Sequence, residues 1–92
     1  MNPVPGSPLP AASHCLDVRG KECPVPALEA RACLDNMRPD DILEVQATDP
    51  LAGVDLRILC ERLGHDLFES REHAGVFRFW IRVSAGRPSA AG

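Results

Sequence analysis

The sequence predicts an α+β fold: a two-layer α/β sandwich, β-α-β-α-β-β, in which a four-stranded mixed sheet carries two helices on one face. Three observations carry this prediction. Two segments place apolar residues at helical spacing behind a proline, and four others alternate apolar with polar residues as half-buried strands do. Helical crossovers make the first two strands parallel, and a short turn makes the last two an antiparallel hairpin.

Cys15-Leu16-Asp17-Val18 reads as the first strand, ending at Arg19-Gly20. The first helix should run from Pro24 to Met37. It places Ala27, Ala30, Leu34 and Met37 inward with Cys33 beside them, and Glu29, Arg31, Asp35 and Arg38 outward. Pro39-Asp40-Asp41 stops it. Ile42 to Ala47 follows as a strand with Leu43, Val45 and Ala47 on one face and Glu44 and Gln46 on the other.

Asp49-Pro50 opens a second helix, with Asp49 as its cap and Gly64 as a left-handed stop after Leu63. Ala52, Leu56, Leu59, Cys60 and Leu63 form its inner face. A second apolar stripe, Leu51, Val54 and Ile58, reads as a broadening of the core. His65 to Glu72 is a strand, His73-Ala74-Gly75 a turn, and Val76 to Val83 the last strand, where Phe77, Phe79, Ile81 and Val83 alternate with Arg78, Trp80 and Arg82.

The 92 residues suffice for one domain, residues 14–83, between a Pro-rich arm (1–13) and a tail (84–92) that both read as disordered. A net charge of −3 without a basic stripe argues against stable nucleic-acid binding. With no signal peptide and no membrane-length apolar stretch, a cytoplasmic protein with no membrane contact is expected. Cysteines 15, 23, 33 and 60 show none of the short zinc-site spacings and are expected as free thiols, with no metal or cofactor. A monomer is expected. His14 reads as part of the mobile start, and His65 and His73 as solvated loop residues.

Cys23-Pro24-Val25-Pro26 is where chemistry concentrates. Pro24 suits the first helical position, which makes Cys23 the N-cap, a place that favours an acceptor or an anion as it does for Asp49. The helix dipole and free N–H groups are then expected to lower the thiol pKa, into a range of about 3.5 to 7.5 against about 8.5 for a free cysteine. The site also falls at the carboxyl end of a parallel strand, where ligand sites gather.

The other thiols lie too far off for an internal disulfide cycle. Cys33 is ten residues along the helix, about 15 Å away. Cys15 lies about 10 Å back along the strand, and Cys60 sits near the far end of the second helix. A disulfide tolerates about 7 Å between Cα atoms. No histidine adjoins Cys23, so a Cys-His dyad lacks support. Two thiol roles stay open, exchange of a sulfur-borne group with other proteins and redox sensing. A third reading uses no thiol: an RNA- or protein-binding module on the Arg78, Trp80 and Arg82 face.

Leu16-Asp17-Val18-Arg19-Gly20-Lys21-Glu22-Cys23-Pro24-Val25-Pro26 resembles the LDxRGxxCPxP signature of the TusA/SirA-like sulfur-carrier family. Asn36-Met37-Arg38-Pro39, Thr48-Asp49-Pro50 and Gly64-His65-Asp66-Leu67 are similar to that family's first-helix end, second-helix start and third-strand start, so the likeness spans residues 14–83. The resemblance implies the same fold and a sulfurtransferase-type persulfide carrier. Cys23 would be the catalytic residue, and Pro24, Val25 and Pro26 the helix-cap motif behind it. A cysteine desulfurase or rhodanese-like donor would load it, and an acceptor protein would unload it in tRNA thiolation, molybdenum-cofactor supply or sulfur oxidation. Arg19, Lys21, Arg31 and Arg38 are then the candidate partner-docking residues. Cys15, the two tails, and Val25 in place of an acidic residue found in several tRNA-pathway members depart from the family pattern.

Overall fold

The computed structural model describes residues 9–84, so the disorder expected of residues 1–8 and 85–92 lies outside the described residues. The elements are β1 (His14–Val18), α1 (Val25–Leu34), β2 (Ile42–Ala47), α2 (Ala52–Leu63), β3 (Asp66–His73) and β4 (Val76–Arg82). They form one sheet in the order β1-β2-β4-β3, with β1 and β2 parallel and β4 antiparallel to both its neighbours. This is the mixed sheet and the element order that the patterning predicts.

The core lies between the helices and one sheet face. Val18, Leu43, Val45, Ala47, Phe79 and Ile81 supply the strands' share, and Ala30, Leu34, Ala52, Leu56 and Cys60 the helices' share. The hairpin turn at Ala74 and Gly75 has φ of 52° and 82°, the double left-handed geometry that matches the twist of two paired strands. Gly64 closes α2 in the left-handed conformation (φ 79°), as its position after Leu63 predicts. After Leu34 the chain leaves α1 in a tight turn, with Asn36 N–H donating to Cys33 and Met37 N–H to Leu34, which keeps Met37 against the core beyond the helix proper.

Three expectations change, and the question of whether the last strand's outer face is covered is answered. The Leu51, Val54 and Ile58 stripe is solvent-facing, at 57%, 56% and 44% exposure, because α2 turns Ala52, Leu56 and Cys60 to the sheet and the stripe lies about half a turn round the cylinder. His14 is the first residue of β1, held in register opposite Leu43. His65 is buried, and its Nδ1 accepts the Ser84 N–H at 3.3 Å. Trp80 points away from the helices yet is fully buried, with the guanidinium carbons of Arg78 and Arg71 at 5.2 and 6.0 Å from its ring.

Candidate functional site

Two loops meet at the carboxyl ends of the parallel strands β1 and β2. Gly20 adopts φ 81°, a conformation costly for residues with a Cβ, and its N–H donates to Thr48 Oγ1 at 2.8 Å, while the Lys21 N–H returns to the Val18 carbonyl. The turn therefore ties the segment before α1 to the segment before α2. Cys23 is exposed on it, beside an open basin of 520 Å³ that Lys21, Glu22, Thr48, Asp49 and Leu51 also line.

Cys23 is not the helix cap. α1 begins at Val25, Pro24 occupies the cap position at φ −98° and ψ 14°, and no side chain bonds to the helix end. Neither Pro24 nor Pro26 has an N–H, and the Val25 N–H is spent on the Glu22 carbonyl at 2.8 Å. The sulfur accepts no hydrogen bond from the helix end. The Cys23–Pro24 peptide is cis.

The sulfur donates instead. Cys23 Sγ reaches Asp55 Oδ2 of α2 at 2.5 Å, and the Cys23 backbone N–H reaches Asp49 Oδ2 at 2.5 Å. Asp49 Oδ1 accepts the Leu51 N–H at 2.9 Å, so one carboxylate turns the chain into α2 and anchors the cysteine. The helix starts at Ala52, two residues beyond the expected Pro50, because Asp49 makes an Asx turn first. The bonds from the Leu51 and Cys23 N–H groups hold the Asp49 carboxyl below its ordinary range.

These carboxylates reverse the expected electrostatics. The hydrogen bond to Asp55, then desolvation, then the charges of Asp55 and Asp49 push the Cys23 thiol above its ordinary range rather than below it. At the Asp55 contact the sulfur is the hydrogen-bond donor. Asp55 is the residue beside Cys23 that pattern reading missed: an acid in a helix's first turn is ordinary dipole compensation. A closer signal was available, since two helix starts at one end of a parallel sheet bring their first-turn side chains together.

The candidate docking residues divide. Arg19 is paired with Asp17 through Nε and Nη2, both at 2.9 Å, and pulls that carboxyl down to about 2. Lys21 Nζ bonds Glu29 at 2.7 Å. Arg31 lines a shallow groove between the helices with Asp55, Ile58 and Arg62. Arg38 lies beyond the far end of α1, about 15 Å of helix away from Cys23. Apolar side chains complete the surroundings: Val25 and Leu28 on α1, and Leu51 and Val54 at the start of α2, are all exposed.

The rival face is closed. Trp80 has no exposed surface, Arg78 is bonded to the buried Glu44 at 2.7 Å, and Arg82 faces Asp66 at 3.6 Å, so the indole of this face cannot stack on a base. All four cysteines are free thiols. Among the described residues no His, Cys, Asp and Glu group could hold a metal, and no helix is long and apolar enough to cross a membrane.

A family model described as sulfurtransferase TusA matches residues 14–83. The chain belongs to the TusA family. The sulfur carrier protein TusA of Pseudomonas paraeruginosa is 39% identical over 70 residues, which cover 76% of this chain and 89% of that protein. The counterpart in Pseudomonas putida is equally similar, over 76% of this chain and 88% of its own. The crystal structure of a SirA-like protein from Desulfitobacterium hafniense superposes with a TM-score of 0.69 at 20% identity, covering 77% of this chain and 97% of that one, and shares its fold. The matched residues span all six elements, and Cys23 lies among them.

Proposed function

We propose that this chain is a sulfur carrier that takes sulfane sulfur as a persulfide on Cys23 from a donor protein and yields it to an acceptor protein. The observation that carries the reading is the placement of Cys23: an exposed thiol on a loop anchored by two carboxylates, framed by exposed apolar side chains. Single exposed apolar residues are ordinary, but Val25, Leu28, Leu51 and Val54 on the first turns of both helices suit a protein partner laid over the cysteine. The relatives named sulfur carrier protein TusA support the same role.

In the loading step Cys23 Sγ attacks the terminal sulfur of a donor persulfide. The Sγ–S bond forms, the donor's S–S bond breaks, and the thiol proton passes to the departing donor thiolate. A redox sensor would instead carry sulfenic acid on Cys23 after dilute peroxide, with no sulfur gained from a donor. A desulfurase of cysteine and a rhodanese-like protein are the donor classes to try first, in a cytoplasmic setting, with tRNA thiolation, molybdenum-cofactor supply and sulfur oxidation as candidate routes onward. Incubation with a cysteine desulfurase and sulfur-labelled cysteine tests the reading. Label released by dithiothreitol should appear on the wild-type chain and not on Cys23→Ser; label on both variants, or on neither, would refute it.

A further inference from the structure

We infer that Asp55 sets the carrier's affinity for sulfur, by holding the empty thiol and repelling the loaded persulfide. The inference rests on the carrier reading of Cys23 and adds a role for a residue of the other helix.

In the empty chain Cys23 Sγ donates its only proton to Asp55 Oδ2 at 2.5 Å, a contact that joins the loop before α1 to the first turn of α2. Loading replaces that proton with sulfur. Sγ then bonds only to Cβ and to the sulfane atom, so it has nothing to donate, and Asp55 loses its partner. The terminal sulfur carries the negative charge about 2 Å from Sγ, within the field of the same carboxylate. Asp55 therefore favours the empty thiol over the persulfide twice, through a charge-assisted hydrogen bond before loading and like-charge repulsion after it.

The neighbouring charges do not cancel this. Asp49, on the segment leading into α2, is a second carboxylate bonded to the Cys23 N–H. On the loop before α1, Glu22 adds an acid and Lys21 is engaged by Glu29. Arg31 of α1 and Arg62 of α2 line the groove that Asp55 borders, and the contact to sulfur is nevertheless made by Asp55. A carrier so arranged binds its cargo weakly enough to hand it on.

The exchange balances without an oxidant. Cys23 thiol plus a persulfide anion gives Cys23 persulfide anion plus a free thiol, with one S–S bond formed, one broken and the thiol proton moved to the departing sulfur. The test equilibrates the full chain with defined mixtures of glutathione persulfide and glutathione, quenches with iodoacetamide and quantifies Cys23 by peptide mapping. Asp55→Asn should raise the loaded-to-empty ratio about two- to fivefold, the size expected of charge effects at a partly exposed site, while Asp55→Glu stays near wild type. Asp55→Ala should move it in the same direction. In parallel, the pH profile of Cys23 alkylation should shift to lower pH in Asp55→Asn and not in Asp55→Glu. An unchanged or lower ratio in both Asp55→Asn and Asp55→Ala, or an unmoved alkylation profile, overturns the inference. No donor protein is involved, so this result is independent of the labelling experiment that tests the carrier reading.

Discussion

Asp49 holds Cys23 by its backbone: Oδ2 accepts the Cys23 N–H at 2.5 Å while Oδ1 accepts the N–H of Leu51 at 2.9 Å. The two Pro-preceding residues are therefore not equivalent caps of two helices. One is the support of the other, and the Cys23 loop is fixed by the turn that opens α2. Asp49→Ala removes both bonds and should cost about 1 kcal/mol, the usual worth of a capping side chain, whereas Asp49→Asn keeps one acceptor oxygen, loses one of the two bonds and should fall between Asp49→Ala and wild type. Urea unfolding of the three proteins checks this.

The apolar frame should matter to protein partners and not to small molecules. Leu28→Asp and Val54→Asp replace exposed side chains, so each should leave stability within about 0.5 kcal/mol. Each should slow loading by a protein donor about tenfold or more, the loss expected when a buried Leu or Val contact becomes a charge. Loading by glutathione persulfide should be unaffected. A parallel loss with both donors would count against a docking role.

Much of the site and fold was legible, and the misses share a cause. Ile42 to Ala47, the Gly64 stop and the alternation in β4 follow from local periodicity and turn chemistry, which the chain carries residue by residue. The misassigned features depend on contacts between distant segments. Val25's N–H is claimed by Glu22, and Cys23 by Asp49 and Asp55; Trp80, which is not among the misassigned, lies under a charged cover that spans three strands. The lowered thiol pKa failed for the same reason: the helix start was visible in the sequence, and the carboxylate from α2 was not.

That cover makes a further prediction. Glu44, buried at 6% exposure, accepts from Arg78 Nε and Nη2 at 2.8 and 2.7 Å and from Gln46 at 2.9 Å. Glu44→Gln weakens a charge-assisted cluster beside Trp80 and should destabilise the fold by about 1–3 kcal/mol in thermal or urea unfolding. With its only tryptophan enclosed, the wild-type chain should not retard structured RNA in a gel shift at physiological salt.

Cys60 gives the pH prediction. Burial pushes its thiol from 9.0 up to about 11, so between those values the unfolded chain releases a proton that the folded chain keeps. Stability therefore falls as pH rises from about 9 towards 11, since the unfolded state then binds fewer protons. Cys60→Ala should flatten that decline in unfolding free energy, at a fixed cost from the small cavity it leaves.

The most direct test of the carrier account is intact-mass analysis after incubation with a cysteine desulfurase and cysteine, or with a rhodanese and thiosulfate. The account predicts the gain of one sulfur atom in the wild type and in Cys15→Ser, Cys33→Ser and Cys60→Ser, none in Cys23→Ser, and its return as one equivalent of thiocyanate on treatment with cyanide. No gain with either donor, or a gain that survives in Cys23→Ser, would contradict it.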